Sequence, residues 1–188
     1  MQRGRGKYFM GFFGRKTSDT PTDTATDKHP KHGLCPLVRQ VTYQANSINS
    51  YELVSTNGCK LPPFTPGAHI DFHFSDGRVR QYSLSNDPSE KDRYVIAVLR
   101  DLEGSGGSVA LFEGVHAGGT VSIGKPRNNF SLDDTASRHL FIAGGIGIAP
   151  IKSMMHHLQA TNGEFLTYYC TKSYDDTAFR DEFATLVE

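Results

Sequence analysis

Between residues 34 and about 130 the chain is a series of short runs in which apolar and polar positions alternate or β-branched and aromatic residues cluster. They are LVRQVTYQ (37–44), SYELVS (50–55), HIDFHF (69–74), VRQYSLS (79–85), RYVIAVLR (93–100) and TVSIG (120–124). A period of two sends alternate side chains to opposite faces, so each run reads as a strand with one face toward a core. Asn57-Gly58, Pro62-Pro63, Pro66-Gly67 and Asp76-Gly77 punctuate the runs with turn chemistry. Short strands at this spacing with no long helix predict a small antiparallel β-barrel of six strands over 34–136. A short helix is expected to open at Ser108 and run through VALFEG, with the loop KPRNNF closing the unit.

After residue 137 the period changes. RHLFIA (138–143) is a buried-type strand, GGIGIAP (144–150) follows, and Ile151, Met154, Met155 and Leu158 then recur at helical spacing. GEFLTYYC (163–170) is a second strand, and TAFRDEFATLVE (177–188) a second helix with Phe179, Phe183 and Leu186 on one face. Strand–helix–strand–helix is the start of a parallel α/β sheet, so 137–188 is expected to be the first half of a nucleotide-binding domain. Residues 1–33 combine basic and aromatic residues with the polar stretch TSDTPTDTATD, and are expected to be a disordered tail.

Composition narrows the function classes. Twenty basic residues balance twenty acidic ones, so no global field favours nucleic acid or an anionic membrane. The longest apolar stretch, 141–151, is too short to span a bilayer and is interrupted by three glycines. Cys35, Cys59 and Cys170 are odd in number and widely spaced, which argues against a disulfide framework and predicts a reducing, cytoplasmic setting with all three as packing residues. No cysteine pair has metal-site spacing. His156 and His157 are adjacent on a helix and diverge, so they form no metal pair, and His69 is expected to be structural.

The candidate chemistry lies in three places. In the strand RQYS, Arg80 and Tyr82 share one face and Gln81 and Ser83 the other; alone this is an ordinary strand pattern. SGGS (105–108) brings small residues and a hydroxyl to a helix N-terminus, where free N–H groups suit a phosphate. Gly144, Gly145 and Gly147 lie between a strand and a helix, where backbone approaches a pyrophosphate closely. The last position of that loop is Pro150, not the glycine of G-x-G-x-x-G, so alone it serves a tight structural turn equally well.

Taken in order, PGAHIDFHF, RQYSLSNDP, RYVIAVLRD, GSGGSVALF, GKPRNNFSL and LFIAGGIGIAPIKSM resemble the phthalate dioxygenase reductase and vanillate demethylase reductase family, the FMN-containing members of the ferredoxin–NADP reductase superfamily, over about residues 35–188. The resemblance implies a flavin-binding barrel and an oxygenase reductase component that takes electrons from NADH. It places Arg80 at the FMN phosphate, Tyr82 against the isoalloxazine and Ser83 near N5, adds Gln81 to the cofactor-binding residues, and puts Tyr82 and Ser83 closest to the reacting ring. It adds Ala97, Val98, Leu99 and Arg100 as a second flavin segment and Gly106, Gly107 and Ser108 as the phosphate loop. It assigns Gly144, Gly145, Gly147 and Pro150 to NAD(P)H, with Thr171 at the adenosine ribose. Thr171, Lys172 and Ser173 would favour a 2′-phosphate, Asp175 and Asp176 would oppose it, and NADH is the expected donor.

In that family the electrons pass to a plant-type [2Fe–2S] cluster and on to an oxygenase. C-x4-C-x2-C and C-G-P segments are absent here, so the chain is read as C-terminally truncated, with the cluster in a missing domain or an iron–sulfur partner. The alternatives are a catalytically incomplete FMN-binding subunit that needs a second polypeptide, and a structural barrel without cofactor.

Overall fold

The computed structural model describes residues 33–186, with side chains through residue 183. The expected N-terminal tail falls outside the described residues except for Gly33. The first part contains β1 (Leu37–Ala45), β2 (Ile48–Val54), β3 (His69–His73), β4 (Val79–Ser83), β5 (Arg93–Leu99) and β6 (Ser122–Ile123). These form two three-stranded antiparallel sheets, ordered β1–β2–β5 and β4–β3–β6, in place of one continuous six-stranded ladder. Between the sheets, pairing shrinks to single bridges: Leu84–Ile96 at one seam, Leu37–Thr120 and Leu34–Ile123 at the other. Side chains explain the first seam, where Asn86 Oδ1 accepts the Val95 N–H at 2.9 Å in place of a strand carbonyl. At the second, TVSIG supplies only two strand residues between Gly118-Gly119 and the Gly124-Lys125-Pro126 turn, and proline has no N–H to extend the pairing.

Leu53, Ile70, Leu84, Tyr94, Ile96 and Leu111 are fully buried between the sheets, each stabilising the fold by roughly 1.5–3 kcal/mol if it is an aliphatic side chain. Leu111 comes from α1 (Gly107–Gly114), the predicted helix extended by one residue. The Tyr94 hydroxyl donates to the Pro62 carbonyl, which settles the polar end of a buried ring.

The second part is β7 (Arg138–Gly144), α2 (Ile148–Ala160), β8 (Glu164–Cys170) and α3 (Arg180–Leu186). β7 and β8 pair in parallel, from Arg138 opposite Glu164 to Gly144 opposite Cys170. Ile148, Ile151, Met155 and Leu158 turn one face of α2 onto the sheet, where Phe141 and Ala143 are buried. The other sheet face is open: Leu140 is 61% exposed and Ile142 70%, with Leu166 and Tyr168 beside them. RHLFIA is therefore buried on one face only, because α2 and α3 both pack on the side of Phe141 and Tyr169.

The two parts meet in a shared apolar junction, where Ala45, Ile48 and Ala97 join the cluster of Phe141, Ile148 and Met154. The turn at Gly67 (φ +88°) fits this junction because a Cβ there would lie 1.9 Å from the Phe130 carbonyl oxygen. Among the described residues no helix is long and apolar enough to cross a membrane. Cys59 and Cys170 are exposed, so these two are not the packing residues expected from the sequence and sit at a turn and a strand end, whereas Cys35 is half-buried.

Candidate functional site

The end of β4, the end of β5 and the approach to α1 converge on a cavity of about 460 Å³, lined by all four residues of Arg80–Ser83 and by Ala97, Val98 and Leu99. Arg80 is fixed from two sides. Its Nη1 donates to the Val79 carbonyl at 2.8 Å and its Nη2 to Ser105 Oγ at 2.6 Å. Gly107 lies directly on this side chain: a Cβ would sit 2.8 Å from Arg80 Cγ and 2.9 Å from Nε, so this helix start approaches the arginine only as glycine. Gly106 caps α1 in the left-handed region (φ 78°), and no side chain caps the helix. The first-turn N–H groups and the guanidinium thus give one end of the cavity the character of an anion site. Ser108 Oγ accepts the Asp101 N–H at 3.0 Å and pins the loop to the helix.

Arg78 stiffens this end from behind. It pairs with Asp76 at 2.6 Å and donates to the Ser105 carbonyl at 3.3 Å. The hydrogen bond from Arg78 holds the Asp76 carboxyl below its ordinary range. Tyr82 is half-buried and packs edge-on to Phe72, ring centroids 6.0 Å apart. Burial pushes its phenol above the ordinary value, with Arg80 opposing, so the ring is neutral at neutral pH.

The facing wall comes from the second part: Ile146 and Gly147 of the 3-10 turn Gly145–Gly147, then Ala149 and Pro150 in the first turn of α2. Proline is tolerated there because a first-turn N–H has no intrahelical partner. A second cavity of about 320 Å³ adjoins the first through Leu99 and Ile146, and contains Gly145, Cys170, Thr171, Lys172 and Asp176. The Thr171 hydroxyl is engaged locally, with Ser173 O at 3.1 Å and Thr177 Oγ1 at 2.8 Å.

The sequence-predicted residues therefore gather with five exceptions, of which Ser173 and Asp175 lie beside the second cavity's residues without lining it. Arg100 turns to Glu113 on α1 at 3.1 Å, while Gly106 and Gly144 sit at element ends and line neither cavity. Asp101, Gly104 and Ile146 join the lining without having been singled out, and Ser105 was named only as part of SGGS. Ser105 was accessible from the hydroxyl in GSGGS, and Ile146 from the variable position of the glycine loop. A larger cavity, about 650 Å³, lies between the β3–β4 turn and the end of α1, and none of its lining residues comes from the second part.

The oxidoreductase NAD-binding domain family matches residues 141–188. The reductase subunit of a tert-butanol monooxygenase/tert-amyl alcohol desaturase from Aquincola tertiaricarbonis is 51% identical over 86% of this chain and 48% of its own length. The phthalate 4,5-dioxygenase reductase subunit of Pseudomonas putida is 50% identical over 73% of this chain and 43% of its own length. A solved phthalate dioxygenase reductase, described as a modular structure for electron transfer from pyridine nucleotides to [2Fe-2S], superposes with a TM-score of 0.78 at 40% identity, covering 81% of this chain and 48% of that one. The chain spans about half the length of the relatives it matches.

Proposed function

This chain is a homologue of the phthalate dioxygenase reductases and vanillate O-demethylase oxidoreductases over the half of their length that it spans, and from that premise we propose that it is the flavin- and NADH-binding part of an oxygenase reductase component. In this reading the two antiparallel sheets are the flavin barrel of residues 34–136, its two seams held by isolated bridges. FMN would accept hydride from NADH and pass electrons singly toward an iron–sulfur centre and an oxygenase partner. The observation that carries the reading is the convergence of Arg80, Ser105 and the uncapped start of α1 at one end of a cavity whose other wall is the Gly147–Pro150 turn.

The residues present fit FMN. The anion end matches one phosphate, with Gly107 leaving backbone room beside Arg80. Tyr82 offers a neutral ring face, Ser83 a hydroxyl, and Gln81 with Ala97–Leu99 the polar and apolar edges of a planar ligand's bed. The adjoining cavity at Gly145 and Thr171 is the proposed NADH site. Its junction with the first at Leu99 and Ile146 brings the two ligands side by side, so that positioning and water exclusion do most of the work. Lys172 and Asp176 both line that cavity, one favouring and one opposing a 2′-phosphate, and NADH is the proposed donor on the likeness to the reductases. The alternative of an incomplete subunit has no observation in its favour.

The test is reconstitution. The protein should take up FMN in preference to FAD, and anaerobic NADH should bleach the flavin band. Absence of flavin uptake, or uptake of FAD alone, would overturn the reading.

A further inference from the structure

α2 buries a lysine at the junction. Lys152 is 5% exposed, and among the described residues it is the one lysine, arginine, aspartate or glutamate in the buried class. Its neighbours there are also polar and buried: Ser85, Asn86 and Ser153. Lys152 Nζ pairs with Glu182 of α3 at 2.6 Å, reaches the Ser85 carbonyl at 3.4 Å and lies 4.7 Å from the centroid of the Phe179 ring. Phe179 itself holds φ +60°, an uncommon conformation for a bulky side chain and a mark of strain held by its surroundings.

The placement gives this group its meaning. Ser85 follows the cavity residue Ser83 by two positions, and Lys152 follows the cavity residue Pro150 by two. The contact therefore links the two walls of the proposed flavin cavity just behind its rim. Elsewhere the junction is closed by Ala45, Ile48 and Ala97 against Ile148 and Met154, contacts that hold the parts together without fixing one sliding position. Burying an ammonium carries a desolvation cost that the half-exposed carboxylate, the carbonyl and the ring face must offset, and the best-attested use of such a group is to fix the register of packed elements.

We infer that Lys152 is a positioning residue: it sets the separation between the Arg80–Ser83 wall and the Gly147–Pro150 wall, and so the alignment of NADH with FMN. This rests on the flavin reading above. The anion end of the site is built from Arg80, Ser105 and α1, none of which touches Lys152 in the contacts given above, so FMN affinity is separable from alignment.

The experiment uses the full chain loaded with FMN and compares it with Lys152→Met, which keeps the length of the side chain and removes its charge. Amide exchange at residues 83–86 and 148–156 should accelerate on the order of tenfold as the walls lose their register. FMN affinity should stay within about threefold and reduction by dithionite should be unchanged, whereas reduction by NADH slows on the order of tenfold or more, since small misplacements of reacting groups are costly in rate. Lys152→Arg should recover part of the NADH rate. Glu182→Gln, which leaves the lysine in place, should move exchange and rate in the same direction by less, and serves if Lys152→Met fails to fold. Unchanged exchange and unchanged NADH rate would overturn the inference, and so would a fall in rate matched by an equal fall in FMN affinity. If the wild type takes up no FMN, the flavin reading falls, while the exchange comparison still decides whether Lys152 holds the walls.

Discussion

At the scale of single residues, the site is a set of contacts that substitution separates cleanly. Arg80→Ala removes a charge-assisted partner of the proposed phosphate and should weaken FMN binding by about 1.5–3 kcal/mol, roughly ten- to a hundredfold. Arg100→Ala should leave it within about twofold, because that guanidinium is directed at Glu113. Gly107→Ala forces a Cβ onto Arg80 and should weaken binding as much as loss of the arginine does, although it adds only a methyl group. Flavin fluorescence titration of the three variants tests the set; equal affinity for Arg80→Ala and wild type would remove the phosphate assignment. The contrast between Arg80 and Arg100 also marks what sequence could supply. Both follow strand patterns, and the resemblance gave both to the flavin. Which one faces the cavity depends on α1, whose Glu113 captures Arg100, a contact between elements that no local pattern carries.

At the scale of elements, β7 shows both the strength and the limit of pattern reading. The run RHLFIA identifies a strand, and its place before a glycine loop identifies a parallel pair, as found. Burial on both faces does not follow from an apolar run alone, since it needs a layer on each side. Phe141→Ala, on the α2 side, should cost about 3–5 kcal/mol, whereas Ile142→Thr, 70% exposed, should change stability by no more than about 0.5 kcal/mol. Denaturant melts of the two variants test this directly. The six strands were legible individually, but the seams were not: they turn on Asn86 replacing a ladder carbonyl and on glycines shortening β6. α2 carries a further consequence one turn beyond Lys152. Burial, and then Lys152, hold the His156 imidazole below its ordinary value of 6.5, with Asp87, Glu182 and Glu90 opposing. A base so shifted binds its proton more tightly in the unfolded chain. Its contribution to stability is thus full above pH 6.5 and is lost as the pH falls through that value toward the folded one. Melting temperature should drop between about pH 7.5 and about pH 5.5, above the carboxylate range, and His156→Gln should flatten that drop. An unchanged slope in the variant would assign the effect elsewhere.

At the scale of the whole molecule, the proposed flavin bed is assembled from residues that lie within three distant stretches, 80–83, 97–108 and 146–150. Such a surface has no local precursor. Hairpins such as β1–β2 close over short loops, but the cavity is complete only when α2 has met β4 across more than sixty intervening positions. Capture of the cofactor is therefore a late event in the life of the chain and a report on its completion. During refolding from denaturant with FMN present, the far-ultraviolet signal of the strands should return first, and quenching of flavin fluorescence should follow in a slower phase. Substitutions at the junction should lengthen the interval between the two phases, even where the strands themselves form at an unaltered pace.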